Sequence, residues 1–277
     1  LNRGYEVACV INETKPRIKG VPERALQIIP KAVFLDGCFE GRHCFDHIIH
    51  CATQYGRSEQ TNDRKIDECN LALPRAILAS EVLKSDGIFI NCDTFFNTEI
   101  DLPGRMNRYV NSKRVFGDHL SDVSKDSDYR IINAVIHQMF SPNDRGAKFF
   151  PFIVSQVLAE EQNVPMTPGM QSRDFISAAS VAEIFLLALE ANNFEKGIST
   201  IEIGNGIGTS IQDFTEYVVA YYKKNATFDF GAIPYRENEI MSAVADISDV
   251  VRLGYMPKQD LSEIFEIYLS EIRDSQF

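Results

Sequence analysis

The sequence predicts a doubly wound α/β fold on a parallel sheet, and three observations carry that prediction. Short apolar runs recur at 6–11, 32–35, 45–50, 87–91 and 129–136, the length of strands buried in a sheet. Helical spacing fills intervals between them, most clearly over 63–84, where Ile66, Leu71, Leu73, Ile77, Leu78 and Val82 share one face. Most of the runs end in a polar or small tip, and the C-terminal ends of the strands are where such a sheet holds its ligand.

The strands are justified in order. Glu6–Ile11 carries Val-Ala-Cys-Val-Ile and ends at Asn12-Glu13. In a dinucleotide-binding half-domain this tip meets the adenosine ribose, where an acid binds a free hydroxyl and an arginine accepts a phosphate. Lys15, Arg17 and Lys19 follow. The choice between NAD and NADP stays open, with the cations leaning to NADP and a solvated charged loop as the alternative account of them. Ala32–Leu35 reads as the next strand, ending at Asp36-Gly37. Phe45–His50 is the third and leads into Cys51-Ala52-Thr53-Gln54-Tyr55, where small residues let backbone approach a flat ligand. His50 reads as shaping that pocket. The helix over 63–84 carries Asn70 inside it. Gly87–Asn91 is a buried strand running into Cys92-Asp93-Thr94, and Tyr129–Ile136 is another, followed by His137-Gln138.

Between those last two strands lies the stretch with most chemical content. Tyr109 and Lys113 are four apart, so on a helix they stand on one face a turn apart. A tyrosine hydroxyl titrates near ~10. A nearby ammonium favours the phenolate and draws that value towards neutrality. The pair can then exchange a proton with a substrate oxygen while hydride moves at the attached carbon. Alone, Tyr-x-x-x-Lys is a weak signal. The preceding strand, polar tip and Pro103-Gly104 turn strengthen it.

Composition bounds the alternatives. The chain has 277 residues, 44% hydrophobic and 24% charged, an ordinary globular composition. A net charge of −11 argues against a nucleic-acid surface, and no apolar run approaches the ~20 residues of a membrane span. The six cysteines lack C-x-x-C spacing. Four lie in or beside apolar runs, which reads as reduced core cysteine in a cytoplasmic protein. No metal is assigned. The chain opens on Leu1, and Leu1–Tyr5 reads as a helix end running into a strand. The expectation is therefore a fragment lacking the first strand and its glycine loop.

The character changes after residue 140, which suggests a dinucleotide domain over 1–140 and a smaller α/β substrate domain over 141–277, with some segments returning to the first. Lys148-Phe149 opens a helix, Val181–Glu190 and 211–223 are helices, and Ser199–Ile203 is a strand. Gly204-Asn-Gly-Ile-Gly208 between strand and helix imitates a dinucleotide fingerprint. Its third glycine is displaced and too little chain follows, so a turn and helix cap is the better account.

Strand, polar tip, loop and Tyr109-x-x-x-Lys113 resemble the short-chain dehydrogenase/reductases. His50-Cys51-Ala52-Thr53, Asn91-x-Asp-Thr-Phe-Phe96, Gln171-x-Arg-Asp-Phe175 and Phe228–Met241 narrow the resemblance. They are similar to the extended, nucleotide-sugar-modifying branch, closest to CDP-abequose and CDP-paratose synthase-like reductases. The resemblance implies a Rossmann-like fold and reduction of a nucleotide-linked 4-keto-6-deoxyhexose by a nicotinamide cofactor, for surface polysaccharide. An epimerase on the same fold or a non-catalytic cofactor-binding homologue is the alternative. It further implies that Tyr109 is the acid and that Lys113 tunes it and holds the nicotinamide ribose. Asn12, Asp36, Gly37, His50, Cys51, Ala52, Thr53, Tyr55, Asn70 and Asn91 would face the cofactor. Arg173 and Arg236 would meet the diphosphate, with Gln138, Lys148 and Phe149 beside the substrate. Cys92 stands where the family has a catalytic Ser or Thr, and Thr94 is the nearby substitute. A homodimer is also implied.

Overall fold

Residues 4–11, 26–55, 63–97, 105–141, 144, 148–191 and 194–275 are described by the structure, a computed structural model. The first half runs β1 (Val7–Ile11), β2 (Leu26–Pro30), α1 (Ala32–Leu35), β3 (Phe45–His50), α2 (Asp63–Asp67), a π turn (Glu68–Ala72), α3 (Leu73–Ala79), β4 (Leu83–Thr94), α4 (Arg105–Val123) and β5 (Arg130–Ile136). There follow β6 (Gln138–Phe140), α5 (Phe149–Leu158), β7 (Val164–Met166), β8 (Ser172–Arg173), β9 (Phe175–Ser177), α6 (Ala178–Glu190) and β10 (Gly197–Ile203). The end comprises β11 (Thr209–Ser210), α7 (Ile211–Tyr222), β12 (Phe228–Phe230), β13 (Ser242–Ala243), α8 (Ser248–Arg252) and α9 (Leu261–Ser275).

β10, β5, β4 and β3 form one sheet in that order, parallel throughout. Both faces of β4 are covered, which is why its sequence reads as a continuous apolar run. Ile88 and Ile90 pack with Val181, Ile184 and Phe185 of α6, while Phe89 meets Phe116 and Leu120 of α4. Phe89 and Phe116 are fully buried, each contributing about 2–3 kcal/mol by removal from water. β1 and β2 make a separate parallel pair. Ala8 and Val10 share a cluster with Phe45 and Ile48 of β3, and the Tyr5 ring meets His47 edge-on at 6.4 Å. The two sheets thus lie edge beside edge, with no ladder joining them among the described residues.

Three expectations are corrected. Ala32–Leu35 is a helical turn, and the strand lies earlier at Leu26–Pro30. Four apolar residues fit either state, and Pro30 ends the strand by offering no donor to extend a ladder. Phe34 then drops into a cluster with Ile29, Leu73, Ile77 and Val82 and stacks on Phe39 at 4.7 Å. The helix placed over 63–84 ends at Ala79, with the π turn inside it and β4 starting at Leu83. The cysteines are not core: Cys38, Cys44 and Cys51 are exposed, and Cys9, Cys69 and Cys92 half-buried. Cys9 and Cys92 lie in β1 and β4, Cys44 and Cys51 flank β3, Cys38 follows α1 and Cys69 sits in the π turn, and none is fully enclosed.

The second half has its own aromatic core. Phe150 lies against Phe140, Phe175, Phe214, Phe265 and Tyr268, with centroids 4.3–6.1 Å apart. Asp174, between β8 and β9, ties these strands to the turn after β10 and to the segment after β13. Its carboxylate accepts backbone N–H bonds from Asn205 (2.8 Å), Gly206 (2.8 Å) and Ala245 (3.2 Å). Gly204 is required by the same closeness, because a Cβ there would fall 2.6 Å from that of Ala245. Those bonds explain Gly204–Gly208 as a turn that binds a side chain of the protein itself. Asp174→Ala leaves three donors without an acceptor in a buried site. We expect a loss of about 3 kcal/mol or more in urea unfolding; a loss below about 1 kcal/mol would show that water replaces the carboxylate.

Candidate active site

A buried ammonium is the centre of the site. Lys113, on the inner face of α4, is 1% exposed. Its Nζ donates to the Cys92 carbonyl at 2.7 Å and to Thr53 Oγ1 at 3.1 Å. One acceptor lies near the end of β4 and the other just beyond β3, so the charge spans two strand tips. Burial pushes the Lys113 pKa down, while Cys92, Asp93, Cys69 and Cys51 oppose that shift. Tyr109, one turn earlier, is also buried, and its ring lies 4.9 Å from that of Tyr55, tilted by 42°.

Asn70 fixes the separation between helix and loop. Its Nδ2 donates to Ser112 Oγ (2.9 Å) and to the Gln54 carbonyl (3.1 Å), and its Oδ1 accepts from the Gln54 N–H (2.8 Å). The π turn presents this fully buried amide between the 51–55 loop and α4. Such turns recur at functional sites because the widened helix redirects one side chain.

Beneath the tips runs a polar ladder. His50 Nδ1 lies 3.4 Å from Asn91 Oδ1, Asn91 donates to Asn133 at 2.7 Å, and Asn133 donates to Asp93 at 2.9 Å. Burial, reinforced by the Lys113 charge, lowers the His50 pKa to about 4. The ring is therefore neutral at working pH, and His50 positions rather than titrates. Asn133 was not anticipated. A lone amide within the apolar run Ile131-Ile-Asn-Ala-Val was its signal.

Cys92 faces the opposite side of β4 from Asn91, among Ile88, Ile90 and Ile136. Its Sγ donates to Cys51 Sγ at 3.8 Å. Thr94 is buried, and its Oγ1 accepts from the Phe96 N–H at 3.3 Å.

The sequence-derived positions fall into three groups. His50, Cys51, Ala52, Thr53, Tyr55, Asn70, Asn91, Cys92, Tyr109 and Lys113 come together at the tips of β3 and β4. Asp36 and Gly37 do not. They follow α1, and Gly37 lines a hollow with Arg42, Ser80 and Glu81 where β4 begins. Their placement at a tip depended on the mistaken strand. Asn12 lies outside the described residues.

On the substrate side, Arg173 is 6% exposed and stacks over Phe95 at 5.9 Å. It bonds Glu239 at 2.6 Å and the carbonyls of Ile240 and Ser172 at 2.7 and 2.8 Å. Glu239 was missed, since nothing in sequence spacing links residues 66 apart. Arg236 is exposed, and its charge reaches Arg173. Gln138 hydrogen-bonds through its N–H to the Asp174 carbonyl at 2.9 Å. Lys148 pairs with Asp144 at 2.5 Å, and Phe149 packs on Phe175 and Phe214 in the aromatic core. No cluster among the described residues is placed to hold a metal ion.

The His50 shift has a sign that can be checked. A lowered histidine pKa contributes stability that is present above the unfolded value near 6.5 and lost as pH falls. Acidification from pH 7 to 4 should remove about 3 kcal/mol through this group. His50→Gln should flatten that part of the pH dependence in urea unfolding. An unchanged slope would refute the burial argument.

Residues 1–204 match the model of the NAD dependent epimerase/dehydratase family. The chain is 29% identical over 227 residues to CDP-abequose synthase of Salmonella typhimurium, covering 81% of this chain and 76% of the relative. It is 28% identical over 111 residues to dTDP-L-rhamnose 4-epimerase of Burkholderia thailandensis, covering 39% of this chain and 30% of that one. Among solved structures, UDP-glucose 4-epimerase of Thermus thermophilus in complex with NAD superposes with a TM-score of 0.74 at 18% identity, covering 98% of this chain and 92% of the other. MoeE5 in complex with UDP-glucuronic acid and NAD gives 0.76 at 18% identity, covering 99% and 93%. With its parallel sheet and its Tyr109–Lys113 helix, the chain belongs to the NAD dependent epimerase/dehydratase family.

Proposed function

We propose that this protein reduces the C4 ketone of a CDP-linked 4-keto-6-deoxyhexose. The observation that carries the reading is the Lys113 ammonium, buried and fixed between two strand tips one helical turn from Tyr109. The residues present fit a nicotinamide dinucleotide. A cation beside a threonine hydroxyl suits a ribose diol, and Cys51 and Ala52 leave an open, small-residue floor. When bound, the reduced cofactor supplies hydride to the ketone carbon. NADPH is preferred over NADH on the basis of Lys15, Arg17 and Lys19.

The chain's own groups do the rest. Tyr109 donates its phenolic proton to the carbonyl oxygen as negative charge develops there, and Lys113 stabilises the resulting phenolate. Cys92 S–H or Thr94 O–H is the second donor to that oxygen. A thiol donates weakly, so the hydroxyl is the stronger of the two. Arg173 and Arg236 take the diphosphate, where planar guanidinium groups bind phosphate oxygens in pairs. Cytoplasmic location and a homodimer belong to the same reading; gel filtration decides the latter.

NADPH oxidation with CDP-4-keto-6-deoxyglucose tests the assignment. One 4-hydroxy product is expected. Tyr109→Phe should lower kcat about a thousandfold while leaving the cofactor Kd nearly unchanged. Unaltered turnover in that variant would end the reading. A second reading, 4-epimerisation, is favoured by the rhamnose 4-epimerase likeness. Tightly retained NAD and interconversion of two sugars without added reductant would select it.

A further inference from the structure

Cys51 and Cys92 occupy the positions one step beyond the last paired residues of β3 and β4, His50 and Asn91. Adjacent strands lie about 4.8 Å apart, which falls within the Cα separation a disulfide can span. The two sulfurs are already 3.8 Å apart. A bond needs about 2.05 Å, so side-chain rotation must close about 1.8 Å. Cys51 is exposed and Cys92 half-buried, which separates an approachable thiol from a sheltered one.

We propose that Cys51 and Cys92 form a reversible disulfide that switches the active site off, with a low-molecular-weight disulfide of the glutathione class as oxidant. Its effect on turnover rests on the ketone-reduction reading; its chemistry does not.

The electronic bias agrees with the geometry. The S–H of Cys92 holds the Cys51 pKa down, with help from Lys113 against burial. Cys51 in turn, together with burial, holds Cys92 well above the ordinary thiol range. Cys51 is therefore the attacking thiolate and Cys92 the resolving thiol. Cys51 attacks one sulfur of the small disulfide, forming a mixed disulfide and expelling one thiolate. Cys92 then loses its proton and attacks Cys51 Sγ, expelling the second. Two small thiols leave carrying the two protons and two electrons, and one protein disulfide forms.

Closure would inactivate the site for two reasons. It consumes the Cys92 S–H, one of the two groups offered as second donor to the ketone oxygen in the proposed mechanism. It also places a covalent bridge across the two strand tips whose Cys92 carbonyl and Thr53 hydroxyl hold Lys113, in the space beside the ammonium. Disulfides in reducing compartments are mostly transient and regulatory, which fits a bond at a working site.

The full chain is incubated with oxidised glutathione and followed by intact mass, peptide mapping and turnover. The expected product is lighter by two hydrogen atoms and carries a Cys51–Cys92 cross-linked peptide. Turnover should fall about a hundredfold, the loss associated with one donor to a developing oxyanion, and dithiothreitol should restore it. In Cys92→Ala, the glutathione adduct should accumulate on Cys51 because nothing resolves it. A stable adduct on Cys51 in the unmodified sequence would overturn the proposal, as would oxidation confined to Cys38 or Cys44. So would a formed cross-link that leaves turnover intact. Absence of ketone reduction in the fully reduced protein would instead overturn the functional reading, while the mass and mapping data still judge the disulfide.

Discussion

The buried ammonium of Lys113 is the constraint around which the rest is arranged. A charge removed from water needs fixed acceptors, or its burial cost exceeds anything packing returns. Here one acceptor is a backbone carbonyl of β4 and the other a hydroxyl beyond β3. Both depend on strand register, because a slip of one residue would turn the tips over. The continuous packing of Ile88, Phe89 and Ile90 between helices on both faces fixes that register. The large apolar core and the single cation are parts of one device.

Asn70 adds the third anchor. An amide can bond the Gln54 N–H, its carbonyl and the Ser112 hydroxyl together, whereas an acid would lack a donor and a serine the reach. The widened turn at 68–72 delivers it. Below, the ladder from His50 to Asp93 keeps polar atoms paired with no charge on the histidine. The electrostatic consequence is local. Near Lys113, the Cys92, Cys69 and Cys51 thiols and the carboxylate of Asp93 are the groups that oppose its deprotonation.

Legibility in the sequence followed the physics of each element. β3 was readable to the residue because a six-residue apolar-rich run bounded by polar and small residues is too short for a helix, even though only His50 of it is buried. Tyr109 and Lys113 were readable because helical spacing alone puts them on one face. Ala32–Leu35 was not, since four apolar residues satisfy both periods and only tertiary packing of Phe34 decides. Asp36 and Gly37 were misplaced for the same reason. α9 was legible but unread, its Leu261, Ile264, Phe265, Tyr268 and Leu269 spaced as one helical face. The Cys51–Cys92 contact and the Arg173–Glu239 pair had no local trace. They depend on which strands become neighbours, which spacing within one segment cannot report.

The Arg173 guanidinium is held in place by the protein's own groups. Arg173 is buried against Phe95 and neutralised by Glu239, and two carbonyls satisfy the same guanidinium. Removing Glu239 alone would leave an uncompensated buried charge, typically a loss of about 3–5 kcal/mol. A diphosphate meeting this site, as the proposed function requires, therefore has to share Arg173 with Glu239 or supply at least equal acceptors in its place. Arg236, exposed and three residues from Glu239, is a second guanidinium whose charge reaches Arg173, while Glu237 beside it keeps the cluster at two cations to two carboxylates. In the proposed reading the diphosphate is recognised by the paired N–H donors of the guanidinium groups, which a neutral sugar cannot engage as an anion. Selection for a nucleotide-linked substrate would then be decided at the diphosphate, before the sugar reaches Tyr109.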